Sequence, residues 1–143
     1  MPFGRRTTKQ RFADNGRIID WVGYIWDGTQ LSEQRRDNTS TRWQYLVETH
    51  IPIAQASGRG TADTELFAVI TDLVGTPTEI INPRTAATEG AASADLWGNA
   101  SWNGRIGTPL RLAGQLHDDE TGLHCNFHRV YDPGAGRFTT GDP

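Results

Sequence analysis

A single cysteine, Cys125, removes any internal disulfide, so covalent stapling contributes nothing to stability. No apolar run has the length of a membrane-spanning helix, and no membrane span is expected. The opening MPFGRRTTKQ lacks the apolar stretch of a signal peptide. Export by a dedicated machine, or a cytoplasmic stay before it, fits that absence. There is no basic excess either. The chain carries 14 Lys and Arg against 17 Asp and Glu, a net charge of -3 with the signs intermixed. That leaves no footprint for nucleic acid. Mean hydropathy is low, at -0.57. Five Trp, five Phe and three Tyr still supply apolar surface for one packed interior in 143 residues.

What the chain has in quantity is glycine, 16 in all, and it is placed regularly. An acidic residue, a short spacer, a glycine and a strand-like run recur in YIWDGTQLSEQ, TDLVGTPTEII, ADLWGNASWNG and YDPGAGRFTT, and MPFGRRTTKQR resembles a truncated copy. The physics is that of hairpins. Asp or Asn opens the turn by bonding back to the backbone, and Gly takes the position with φ > 0. The flanks are rich in β-branched and aromatic residues.

This reading places strands at Thr7–Ala13, Arg17–Trp26, Gln30–Arg35, Trp43–Ala54, Glu65–Thr71, Thr78–Ile81, Leu110–Leu116, Leu123–Tyr131 and Arg137–Thr139. Reversals are expected at Asp14–Gly16, Asp27-Gly28, Asp37-Asn38, SGRG and DDETG. Only RTAATEGAASADLW, residues 84–97, is Ala-rich enough for a loop or a short helical segment. The fold class is all-β, built of antiparallel hairpins.

The motifs TDLVGTPTEI, DLWGN and GTPLRLAGQLHDDETGLHCNFHRVYDPGAGRFTTGDP, in that order and spacing, resemble the RHS repeat-associated core domain of RHS and YD-repeat proteins. The resemblance is firm from Leu66 to Pro143 and is the looser YD-repeat pattern before that. It implies residues 1–65 as YD-repeat-like hairpins and 66–143 as a core domain truncated at its closing Asp-Pro. Departures are Leu73 for a histidine, Cys125 for a tyrosine, and His128 where Tyr or Arg is common. The family implies a β-shell that encapsulates a C-terminal toxin, closed at one end by the core domain and opened by aspartate-based self-cleavage. It also implies bacterial competition, often through type VI secretion.

Asp132 and Asp142, each followed by Pro, are the candidate acid–base pair, because two carboxylates sharing a site acquire separated pKa values. Arg129, or else Arg137, is placed to steady a carboxylate or a developing oxyanion. The plainer reading makes Asp132 a turn opener. If Leu123–Tyr131 is one strand, His124, Asn126 and His128 share a face opposite Cys125, Phe127 and Arg129. That separates His from Cys and argues against a metal site, although His117 approaches His124 across the DDETG hairpin. Neither a cofactor nor a metal is expected. The tryptophans read as shell interior before a glycan platform, and SGRG and GTP as turns, not phosphate loops.

Three functions compete on this reading. The first is a structural fragment of a toxin shell, with its effector absent. Its partners are other RHS or YD repeats, or another protein chain, at open strand edges, with the encapsulated toxin domain in the parent. The second is an aspartic autoprotease of the intact parent, inactive in this chain. The third is a stand-alone module binding protein or glycan.

Overall fold

A computed structural model describes residues 5–60, 62–112, 114–126 and 129–139. The described residues form strands and turns. Nine strands follow one another as an antiparallel meander in a single open sheet, each paired with the next. They are β1 (Thr8–Phe12), β2 (Ile18–Asp27), β3 (Gln30–Arg36), β4 (Thr39–Tyr45), β5 (Pro52–Gly58), β6 (Glu65–Thr71), β7 (Pro77–Ile81), β8 (Thr88–Ala94) and β9 (Ala100–Gly104). Four shorter strands make a second sheet: β10 (Leu116–His117), β11 (His124–Asn126), β12 (Arg129–Asp132) and β13 (Arg137–Phe138). The large sheet passes through positions 65 and 66 without interruption, since β5 and β6 pair from Ala54↔Ala68 to Ser57↔Glu65.

The turns are made by the residues that the pattern singles out. Asp37 takes φ 51° in the two-residue link between β3 and β4, and Gly16 takes φ 80° between β1 and β2. The DLVGT and DLWGN repeats fold identically. Asp72 Oδ1 accepts from the backbone N–H of Val74 and Thr76, both at 3.0 Å. Asp95 Oδ1 accepts from Trp97 at 2.9 Å and Asn99 at 3.0 Å. Gly75 and Gly98 supply the left-handed residue, at φ 86° and 84°.

Four expectations require correction. The single strand at Trp43–Ala54 is two strands, β4 and β5, joined by a reversal in which Leu46 N–H donates to Ile51 O and Glu48 takes φ 61°. Leu46 and Val47 look like strand residues but stand exposed on that turn, Val47 at 82%. The strand at Leu123–Tyr131 is also two, β11 and β12, antiparallel through Asn126↔Arg129. Leu110–Leu116 is a reversal closed by one isolated bridge between its end residues. Half of the expected loop or helical segment at 84–97 is strand β8, with turns on either side and no helix. Its small residues serve close approach: a Cβ built on Gly90 would lie 1.8 Å from the Ile106 carbonyl oxygen. Strand β9 went unread.

The small sheet packs on one face of the large one. Leu31 and Trp43 of the large sheet meet Leu110 and Leu116, with Tyr24, Trp26 and Tyr45 at the margin. Gln55 is buried in the same face, accepting from Trp43 Nε1 at 2.8 Å and donating to Gly107 O at 3.1 Å. Both halves of its amide are thus satisfied, as burial demands. On β6 the buried Phe67 and Val69 alternate with the exposed Leu66 and Ile70, so the opposite face of that strand is bare.

Candidate functional site

The small sheet was expected to carry the chemistry, and its last hairpin holds two of the three candidate residues. Asp132 ends β12 and opens the turn to β13. Its Oδ1 accepts from the N–H of Gly134 at 2.9 Å and of Ala135 at 3.2 Å. This is the turn-opening geometry of a short acidic side chain. Arg129 begins the same strand, and its guanidinium lies 3.6 Å from the centroid of the Phe138 ring on β13. Three residues apart on a strand, Arg129 and Asp132 point to opposite faces. Asp142 lies outside the described residues, as does His128. Arg137, the alternative guanidinium, stands opposite Asp132 in the β12–β13 register, and the pairing of Asp132 with Asp142 falls outside the described residues.

It assembles a different ionic cluster. Asp118, at the start of the DDETG turn, accepts from Lys9 Nζ at 2.6 Å and from Arg6 Nη1 at 3.0 Å. Both cations come from the opening segment of the large sheet. Arg6 Nη2 also reaches Cys125 Sγ at 3.3 Å, and the Arg6 carbonyl accepts from Trp26 Nε1 at 2.8 Å. Burial alone would push the Asp118 carboxyl upward, but the hydrogen bonds from Lys9 and Arg6 outweigh it and hold the group at about 2. Burial raises the Cys125 thiol above its ordinary value, which disfavours the nucleophilic thiolate. Sequence reasoning missed this cluster, because 112 residues separate Arg6 from Asp118 and no local spacing signals the pairing.

On the other side of β11 lies an imidazole pair, His124 buried and His117 half-buried. His124 is 1% exposed, and its Nδ1 sits 3.3 Å from Gln115 Oε1. The His117 ring meets it edge-on, centroids 5.2 Å apart, as the hairpin reading anticipated. Burial, with Arg111 and His117 nearby, lowers His124 to about 4; burial and Arg111 lower His117 as well. Both rings are neutral at pH 7. His124 turns toward Gln115 while Cys125 turns toward Arg6, so the two do not converge on a common point.

Between the tips of the large sheet and the small sheet is a cavity of about 600 Å³. Val74, Leu96 and Trp97 line it from the duplicated turns, Leu112, Tyr131 and Phe138 from the other side. Tyr131 closes one side by donating to Trp97 O at 2.7 Å.

No protein-family model matches the chain. Individual relatives do. It is 31% identical to the double-stranded DNA deaminase toxin A of Burkholderia cenocepacia, over 99% of this chain and 12% of that protein. It is 32% identical to the probable deoxyribonuclease RhsA of Dickeya dadantii, over 99% of this chain and 10% of that protein. The chain thus spans about a tenth of the length of these relatives. Among solved structures, the crystal structure of TcdB2-TccC3-TEV superposes with a TM-score of 0.59 at 16% identity, covering 95% of this chain and 8% of that one. TcdB2-TccC3-Cdc42 gives 0.57 at 15%, covering 96% and 9%. At these identities the structural likeness concerns the fold.

Proposed function

Because the chain belongs to the RHS repeat-associated proteins, we propose that it forms part of the wall and closing cap of a hollow RHS shell around a toxin. One observation carries this reading: the nine-stranded meander is open, with β1 at one border and β9 at the other. An open strand border offers unpaired N–H and C=O groups to a neighbouring strand. Further repeats of the same hairpin kind would pair there, as would another protein chain.

The relatives support a carrier role in preference to a catalytic one. One is named for deamination of double-stranded DNA and another for deoxyribonuclease activity, yet both share this segment to nearly the same degree. Two different chemistries do not reside in one common segment. The effector chemistry on this reading belongs to other parts of those longer proteins, and this segment contains and delivers it, exported by a dedicated bacterial system.

The test is hydrogen exchange on the isolated chain and on the chain joined to contiguous RHS repeats. The expected result is protection of β1 or β9 amides that exchange freely in the isolated chain. Unchanged exchange at both borders would overturn the shell-wall reading.

A further inference from the structure

Arg111 is a buried cation with no ion pair among the described residues; its nearest counter-charge is Asp119, which acts on it only at a distance. It is 6% exposed, and its Nη1 donates to the carbonyls of Thr108 at 2.7 Å and Leu110 at 2.9 Å. Its Nε has no partner, and among the described residues no carboxylate is ion-paired with it. A buried charge without a counter-charge is costly, and proteins ordinarily neutralise it with a paired group.

Two other buried nitrogens share the predicament. Trp102 Nε1 and His117 Nδ1 also lack hydrogen-bond partners. All three residues line the same space, a cavity of about 350 Å³ bordered also by Thr108 and Asp119. Trp102 arrives from β9 of the large sheet, His117 from β10 of the small one, and Arg111 from the link between the sheets. Buried polar nitrogens without a partner are rare enough that three around one cavity, two of them N–H donors, require an explanation.

We propose that this cavity is a binding site for a carboxylate. The oxygens take the N–H of Arg111 Nε and Trp102 Nε1, and His117 completes the wall. A single negative charge fits the electrostatics. Among the described residues Arg111 is the one buried Lys or Arg, burial and Arg111 hold His117 below the ordinary imidazole value, and Asp119 at the rim, its side chain 81% exposed, disfavours a doubly charged anion. The guanidinium matches a planar carboxylate in particular. The three nitrogens are closed off from water, so entry is accompanied by a small rotation of the side chains. The carboxylate arrives either free or as an Asp or Glu side chain of a polypeptide.

The experiment is a ¹H–¹⁵N titration of the full chain at pH 7 and constant ionic strength. The probes are acetate, a short peptide with blocked ends and one Glu, and acetamide as the uncharged control. Saturable shifts of the Trp102 Nε1–H and Arg111 Nε–H signals are expected with acetate, the peptide, or both, and none with acetamide. Tighter binding of the peptide identifies a side chain as the natural source, and equal binding identifies a free carboxylate. Trp102→Phe keeps the apolar wall and removes one donor, so affinity should fall several-fold; Arg111→Gln should abolish it. The inference is overturned if neither carboxylate gives saturable shifts, or if acetamide matches them. It is overturned equally if a folded Trp102→Phe chain binds as the unaltered one does. The edges of the large sheet play no part in this test, so its failure leaves the shell-wall reading untouched.

Discussion

Lys9 Nζ lies 2.6 Å from Asp118 Oδ1, joining the border strand of the large sheet to a turn of the small one across 109 residues of sequence. Arg6 takes the other carboxylate oxygen at 3.0 Å. The Asp118 side chain is only 7% exposed and faces two partly buried cations, of which Lys9 also has the more exposed Glu120 at 3.5 Å. These bonds tie the beginning of the described chain to the small sheet.

Asp118→Asn should therefore destabilise the chain by about 2 kcal/mol, because it leaves Lys9 and Arg6 without their shared counter-charge. Urea denaturation at pH 7 measures it. The sign with pH follows from the depressed carboxyl. The folded group titrates near 2 against an ordinary 3.8, so its stabilisation is complete above pH 4 and is lost as pH falls toward 2. A midpoint unchanged by the substitution would show that the contact is energetically idle.

Two glycines separate backbone freedom from space. Gly122 has φ 72° with nothing within 4 Å of a Cβ, whereas a Cβ on Gly90 would collide with the Ile106 carbonyl oxygen. Gly122→Ala is expected to cost about 1 kcal/mol, the strain of a left-handed residue alone. Gly90→Ala should cost about 3 kcal/mol, because backbone must move. Thermal denaturation of the two variants decides it, and an equal loss would contradict the packing of the Ile106 segment on β8.

These contrasts mark how far the sequence is legible. Most reversals built on Asp and Gly were readable, because such turns are specified by three or four adjacent residues, whereas the Asn82 turn between β7 and β8 was not. The duplicated Asp72 and Asp95 turns are the clearest case. The failures lie where context overrides composition. Leu46 and Val47 are apolar yet form a turn, and the Ala-rich stretch around Gly90 is a strand because a neighbouring carbonyl needs room. The His117–His124 contact was foreseeable from hairpin register. The bond from Arg6 and Lys9 to Asp118, and the unpaired cation Arg111, depend on how two sheets dock, which no local pattern encodes.

Asp132 is where turn chemistry and catalysis make different demands. Asparagine retains an oxygen that can accept from Gly134 and Ala135, so Asp132→Asn should leave stability within about 0.5 kcal/mol, while Asp132→Ala loses the cap and about 1 kcal/mol. In a chain extended past Pro143, self-cleavage abolished by Asp132→Asn would establish a catalytic carboxylate. Cleavage persisting in that variant, or absent from the unaltered extension, would leave Asp132 as a turn residue only. Gel analysis of the extended chain reads the outcome.

The imidazole pair makes the fold sensitive to mild acid. His124 is held neutral down to about 4 by burial and by the nearby Arg111, whereas in the unfolded chain it takes up a proton near 6.5. Between those values the unfolded state binds more protons than the folded one, so stability rises with pH. It is complete above about 6.5 and falls steadily as pH drops toward 4. The span corresponds to about 3 kcal/mol at most for His124, and His117, lowered in the same direction, adds to it. The groups facing the pair are Arg111 and Lys9, the carboxylates of Asp118 and Asp119, and the Tyr131 ring, with Asp118 already committed to Arg6 and Lys9. His124→Gln keeps a hydrogen-bonding side chain toward Gln115 but cannot be charged. Unfolding followed from pH 7.5 to 4.5 should show a steep loss of stability in the unaltered chain and a shallower one in His124→Gln. Parallel slopes would place the acid sensitivity elsewhere.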